Sequence, residues 1–141
     1  MNRHSSILRF VICVLAFAWL SASAMAEELK PYKYAKVFKG SEGEIVTIVP
    51  LEPRSDNQFL IKFHRVEGDW DDRIVLHERT MYIDKEDYKA KDQNYVSVAV
   101  RRGSYSVYPK GSRKELNVFF SEEESKNVDV LSIVETFRKQ R

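Results

Sequence analysis

The chain is poor in the residues and motifs that usually identify a function. Its 141 residues include one cysteine, Cys13, five glycines and four prolines. The sequence lacks the phosphate loop, the dinucleotide fingerprint, the G-x-S-x-G nucleophile elbow and the H-E-x-x-H zinc motif. Because Cys13 lies in an apolar N-terminal segment, disulfides, thiol chemistry and cysteine-based metal centres are excluded for the rest of the chain. The sequence therefore predicts a protein that is not an enzyme and carries no cofactor.

The N-terminus has the three parts of a secretory signal. A basic start precedes an uncharged apolar run at residues 10–20, and small residues follow, ending in Ala24-Met25-Ala26. That run is shorter than the roughly 20 apolar residues that a membrane-spanning helix needs. We predict a signal peptide at residues 1–26, cleaved after Ala26, and a single β-rich domain at residues 27–141, located in the periplasm or outside the cell. The alternative is an uncleaved membrane anchor.

Cleavage would leave a chain with balanced charge. The loss of Arg3 and Arg9 reduces the 23 basic residues to 21, which equals the number of acidic residues. Nucleic acid is therefore not an expected partner. Without cysteine, the domain must fold on its apolar core alone.

Most of the chain has the pattern of β-strands, with alternating or β-branched side chains. For example, Phe59, Ile61 and Phe63 share one face, while the residues between them share the other. The predicted strands are residues 34–39, 44–49, 58–66, 74–83, 94–102, 104–108 and 115–120. In 94–102, the face that includes Val96 is predicted to point inward. The charged segment 84–93 is predicted to be a loop or a helical turn.

The C-terminal segment changes to helical spacing. Apolar residues at 130, 131, 134 and 137 predict one amphipathic helix from about Asp129 to Lys139, and Ser121–Glu124 fits a capping box. Short connections predict antiparallel pairing. The predicted fold is mainly β or α+β: a small antiparallel sheet or sandwich of about six to seven strands, with the C-terminal helix packed on it.

Two histidines, His64 and His77, lie outside the predicted signal peptide. If strands 58–66 and 74–83 form a hairpin centred near Trp70, the two imidazoles are cross-strand neighbours. With a nearby acid they could hold zinc or copper. The alternative is a pair of solvent-facing histidines on a polar face.

The segment 67–72 places Trp70 among four acidic residues at a predicted hairpin tip. An exposed Trp70 beside Asp69, Asp71 and Asp72 could stack on a sugar or anchor a protein partner. The alternative is that Trp70 folds back to cover the core while the acids keep the turn soluble.

The segment 101–114 contains five basic residues, two tyrosines and no acid. Arg101, Arg102, Tyr105 and Tyr108 are the candidate contacts for an anionic glycan, a lipid headgroup or an acidic protein surface. The alternative is a solvated hairpin in which Tyr105 and Val107 pack inward.

Together these features favour a small exported, non-enzymatic binding or accessory protein that recognises a protein or glycan partner through its loops. Alternatives are a subunit of an envelope assembly, a metal-handling protein that uses His64 and His77, and a small hydrolase that uses the carboxylates around Trp70. After cleavage the chain is not expected to span a membrane.

Overall fold

Nine strands and two helices make up most of residues 28–141, the part of the chain that the computed structural model describes. The strands are β1 (Lys30–Pro31), β2 (Lys36–Lys39), β3 (Ile45–Glu52), β4 (Gln58–His64), β5 (Ile74–Met81), β6 (Lys85–Ala90), β7 (Tyr95–Arg101), β8 (Ser104–Val107) and β9 (Leu116–Ser121). The helices are α1 (Glu122–Lys126) and α2 (Val130–Gln140), and a 3-10 turn spans Arg54–Asp56. The predicted signal peptide and its cleavage site lie outside the described residues.

Strands β2 to β9 form a closed antiparallel barrel of eight strands. Each strand pairs with the next one along the chain, and β9 returns to pair with β2. The closing pairs are Val37 with Ser121, Phe38 with Phe120, and Lys39 with Phe119. The short strand β1 extends the sheet by pairing with the end of β3. Closure gives each of the eight strands a paired neighbour on both sides.

Alternation along the strands directs every second side chain into the barrel. The predicted inward face of Phe59, Ile61 and Phe63 is confirmed, since all three are buried in the interior cluster. The rest of that cluster is Phe38, Val46, Ile48, Val66, Trp70, Tyr88, Ala90, Val98, Val100, Val107 and Val118. An eight-stranded barrel is narrow enough for side chains to fill. These buried residues pack the centre of this one.

A second apolar cluster lies outside the barrel, beneath α2. Ile133, Val134 and Phe137 are buried there against outward side chains that include Val49 and Leu60. The Asp129 carboxylate accepts a hydrogen bond from the Ser132 backbone N–H at 3.0 Å, which starts the helix as the sequence predicts. No helix within residues 28–141 is long and apolar enough to cross a membrane.

The predicted fold class is confirmed in its main terms, a β-rich domain with a C-terminal helix, but the sheet closes into a barrel. The capping box at Ser121 begins the separate short helix α1. The strand count exceeds the prediction because β1 and β6 were not expected. Strand β6 lies within the predicted loop 84–93. Its inward positions include Glu86 and Tyr88. Because Glu86 is charged, the inward face of β6 lacks the regular apolar alternation by which a strand is recognised.

The prediction that Val96 points inward is wrong because β7 contains a β-bulge. Tyr88 pairs with Val98 whereas Lys89 pairs with Val96, which leaves Ser97 without a pairing partner on β6. The extra residue reverses the alternation. Ser97 is fully buried, and Val96 takes the outward side with Lys89.

We expect Phe137→Ala to lower the free energy of unfolding by about 3 kcal/mol, because it empties a buried aromatic position between α2 and the barrel. Leu131→Ala is the matched control on the same helix, since Leu131 is 73% exposed and should cost less than about 0.5 kcal/mol. Urea unfolding measures both. Equal small losses would show that α2 does not stabilise the barrel.

Candidate functional site

Trp70 lies inside one end of the barrel and not on the surface. It is buried, with its ring centroid 5.5 Å from that of Phe63, 5.9 Å from His77 and 5.6 Å from Tyr95. The prediction of an exposed Trp70 that contacts a ligand is wrong. The alternative is confirmed: the segment 67–72 folds back and Trp70 covers the core.

The acidic and basic loops contact each other at this end. The Asp69 backbone N–H donates to the Lys110 carbonyl oxygen at 2.7 Å, and Lys114 Nζ lies 3.4 Å from Glu67 Oε2. Asp71 Oδ1 accepts a hydrogen bond from the Val66 backbone N–H at 3.2 Å. The last bond lies within the acidic loop, whereas the first two join it to the basic loop, so two separate charged patches do not form.

The residues predicted as one basic binding stretch are divided between the two ends of the barrel. Arg101 Nη2 lies 2.8 Å from Asp87 Oδ1 on the outer wall, and Arg102 is exposed in the β7–β8 turn. Tyr105 points inward, with its ring centroid 4.2 Å from Phe38. At the other end, the Tyr108 hydroxyl donates to Glu115 Oε1 at 3.0 Å. The alternative in which Tyr105 packs inward is confirmed.

His64 and His77 are not cross-strand neighbours, so that prediction is wrong. In the observed register, His77 pairs with Phe59 and His64 pairs with Ile45. The half-exposed His64 imidazole contacts the Asp72 carboxylate on the outer surface, whereas His77 is fully buried inside the barrel. Within residues 28–141, no group of three or more His, Cys, Asp or Glu side chains could hold a metal ion.

The hydrogen bonds of His77 fix its tautomer. Nδ1 lies 2.9 Å from the Val75 carbonyl oxygen, which can only accept. Nε2 of the neutral ring therefore accepts from the Ser97 hydroxyl at 2.6 Å. Burial lowers the pKa of His77 to about 4. The β7 bulge thus supplies the hydroxyl that satisfies a buried, neutral histidine.

The most exposed aromatic pair lies on β9. Phe119 is 71% exposed and Phe120 is 55% exposed. The first half of β9 pairs with β8 and the second half pairs with β2. A cleft opens on each side of β9, and Phe119 lines both. We call this surface, Phe119 and Phe120 with the two clefts, the β9 seam.

The two clefts of the β9 seam differ in chemistry. The larger, about 570 Å³, is lined by charged and polar groups that include Glu42, Lys114 and Asn117. The smaller, about 310 Å³, is lined by aromatic rings that include Phe38 and Tyr105. Burial raises the pKa of the Tyr105 hydroxyl, which keeps it a neutral hydrogen-bonding group. Apolar contact area and hydrogen-bonding groups therefore lie side by side.

The sequence contained a signal for this site that the pattern analysis missed. Successive side chains on a strand point to opposite faces, so adjacent Phe119 and Phe120 cannot both face the core. Phe120 takes the inward side but lies at the end of β9, where it stays half exposed against Phe38 at a centroid distance of 5.9 Å.

Protein interfaces typically combine exposed aromatic side chains with a polar surround, as the β9 seam does.

Comparison of the chain with protein-family profiles, curated proteins and solved structures found no match.

The contact between the two loops can be tested at Gly68. Its φ is +120°, and a Cβ there would overlap the Lys110 carbonyl oxygen. We expect Gly68→Ala to lower the free energy of unfolding by more than about 2 kcal/mol, because strain and overlap add. Gly103→Ala is the control, since Gly103 also has a positive φ but no atom within 4 Å. If urea unfolding gave equal losses, the loops would not be packed as described.

His77 should make stability fall with acid. Above pH 6.5 the ring is neutral in both the folded and unfolded states. Below that pH the His77 ring is protonated in the unfolded chain, whereas in the folded chain it stays neutral down to about pH 4. We expect this to remove about 3 kcal/mol of unfolding free energy between these pH values.

The measurement is the difference in unfolding free energy between wild type and His77→Gln across this pH range. Leu131→Ala, at an exposed residue without a titratable group, is the control and should keep the wild-type slope. Identical slopes for wild type and His77→Gln would contradict a buried neutral His77.

Proposed function

We propose that this protein is a non-enzymatic binding module of the cell envelope or extracellular space, and that it recognises a protein partner through the β9 seam. The observation that carries the proposal is the exposure of Phe119 and Phe120 between two clefts. Residues that dominate binding energy are commonly large side chains that enter a partner's pocket, with near-neutral contacts around them.

The barrel supports a binding role because it holds the seam rigid. Phe38, buried in the interior cluster, lies beneath both Tyr105 and Phe120. The walls of the aromatic cleft are therefore attached to the core. A surface that is ordered before binding loses less conformational entropy when a partner arrives.

A protein partner is favoured over a glycan by the type of aromatic residue. Phe119 and Phe120 have no hydrogen-bonding group, whereas sugars present a hydroxyl on most ring carbons. An apolar side chain is the better complement to two phenylalanine rings. If the protein were instead a subunit of an envelope assembly, it would bind its neighbour through the same surface, and the complex would be longer-lived.

A photo-cross-linking residue at Ser104, on the rim of the aromatic cleft, tests the proposal in the protein exported by its own host. We expect one discrete protein adduct, reduced about tenfold by Phe119→Ser because the exposed ring supplies the central contact. Leu131→Ser, at an equally exposed apolar residue on α2, is the matched control and should leave the adduct unchanged.

An adduct that persists in Phe119→Ser would contradict the assignment to the β9 seam. Loss of the adduct after glycosidase treatment would show that the partner is a glycan and not a protein. Circular dichroism of each variant confirms that the barrel is intact before the adducts are compared.

A further inference from the structure

The β5–β6 turn carries a second exposed apolar surface, at the barrel end opposite Trp70. Met81, Tyr82 and Ile83 follow one another there, and all three side chains are exposed, Ile83 completely. We call these three residues the apolar tip. Exposed apolar side chains in a run on a loop tip commonly mark an interaction site.

Two cations flank the apolar tip. Lys85 Nζ lies 4.3 Å from the centroid of the Tyr82 ring. Arg102, exposed in the neighbouring β7–β8 turn, donates its backbone N–H to the Asp84 carbonyl oxygen at 3.2 Å. That backbone bond joins the two turns, so Arg102 lies in the turn next to the apolar tip, and two cationic residues stand there against one exposed acid, Asp84.

This surface differs from the β9 seam because its apolar residues line neither of the two clefts there. Ile83 is completely exposed at the turn between β5 and β6. An exposed apolar turn of this kind suits a deformable partner. In a bilayer interface, apolar side chains enter the acyl boundary by about 5–10 Å, while tyrosine and the cationic groups remain at the headgroups.

We propose that the apolar tip, with Lys85 and Arg102, docks the protein on an anionic lipid surface. Ile83 and Met81 insert between the lipids, the Tyr82 ring lies at the headgroup level, and the two cations contact lipid phosphates. Arg102 adjoins the rim of the aromatic cleft, but neither cation and none of the three apolar residues lines a cleft of the β9 seam, so the inference does not depend on the proposed protein partner.

Co-sedimentation with vesicles tests the inference. The probes are vesicles of equal parts phosphatidylglycerol and phosphatidylethanolamine, compared with vesicles of phosphatidylcholine alone. We expect binding to the anionic vesicles that weakens as salt is added. Ile83→Ser should reduce the partition coefficient about fivefold or more, because it removes the deepest apolar contact.

Lys85→Gln with Arg102→Gln should abolish the preference for anionic lipid. The controls are Leu131→Ser, an exposed apolar residue elsewhere, and Arg113→Gln, an exposed cation at the opposite end of the barrel; both should bind like wild type.

Failure to bind the anionic vesicles, or equal binding by Ile83→Ser and Leu131→Ser, would overturn the proposal. Sedimentation velocity without lipid supplies a further check. A dimer that Ile83→Ser dissociates would also overturn the proposal, because a second copy of the chain would then cover the tip.

Discussion

The pairing of β9 with β2 is the contact on which the rest of the structure depends. It consists of three residue pairs, and β2 itself has four residues. Phe38 lies at this junction and contacts Tyr105 from β8 and Phe120 from β9. If these pairs separated, β2 and β9 would become free sheet edges and the interior cluster would open to water. A pairing of only three residue pairs therefore closes the barrel, and among the other ladders of the wall only that of β8 with β9 is as short.

Closure also determines where this protein can bind other molecules. The interior is packed with the chain's own side chains, α2 covers part of the outer wall, and the loop carrying Trp70 covers one end. Within residues 28–141, the β9 seam and the apolar tip both combine exposed large apolar groups with nearby polar or charged side chains. The seam has clefts on either side of β9, whereas the tip is an exposed turn at one end of the barrel, which favours different partners.

The strand pattern and the C-terminal helix could be predicted because alternation and helical spacing are local signals. Strand β6 could not be predicted, since the charged residue Glu86 occupies an inward position near the barrel end opposite Trp70. The bulge at Ser97 turns Val96 outward. It could not be predicted because a single inserted residue leaves no signal in the sequence composition. The His64–His77 pairing failed because the loop between β4 and β5 folds inward around Trp70 and shifts the register. The contact between the 67–72 and 110–114 loops could not be predicted either, because only the closed barrel brings these distant segments together.

The most direct test of closure is solution NMR of the interstrand contacts between β2 and β9. A closed barrel predicts cross-strand backbone NOEs between Phe38 and Phe120. It also predicts that the amides of these strands exchange with solvent nearly as slowly as those of β4. Absence of these NOEs, with rapid exchange confined to β2 and β9, would show an open sheet. That result would contradict both the filled barrel and the seam built on its closing strand.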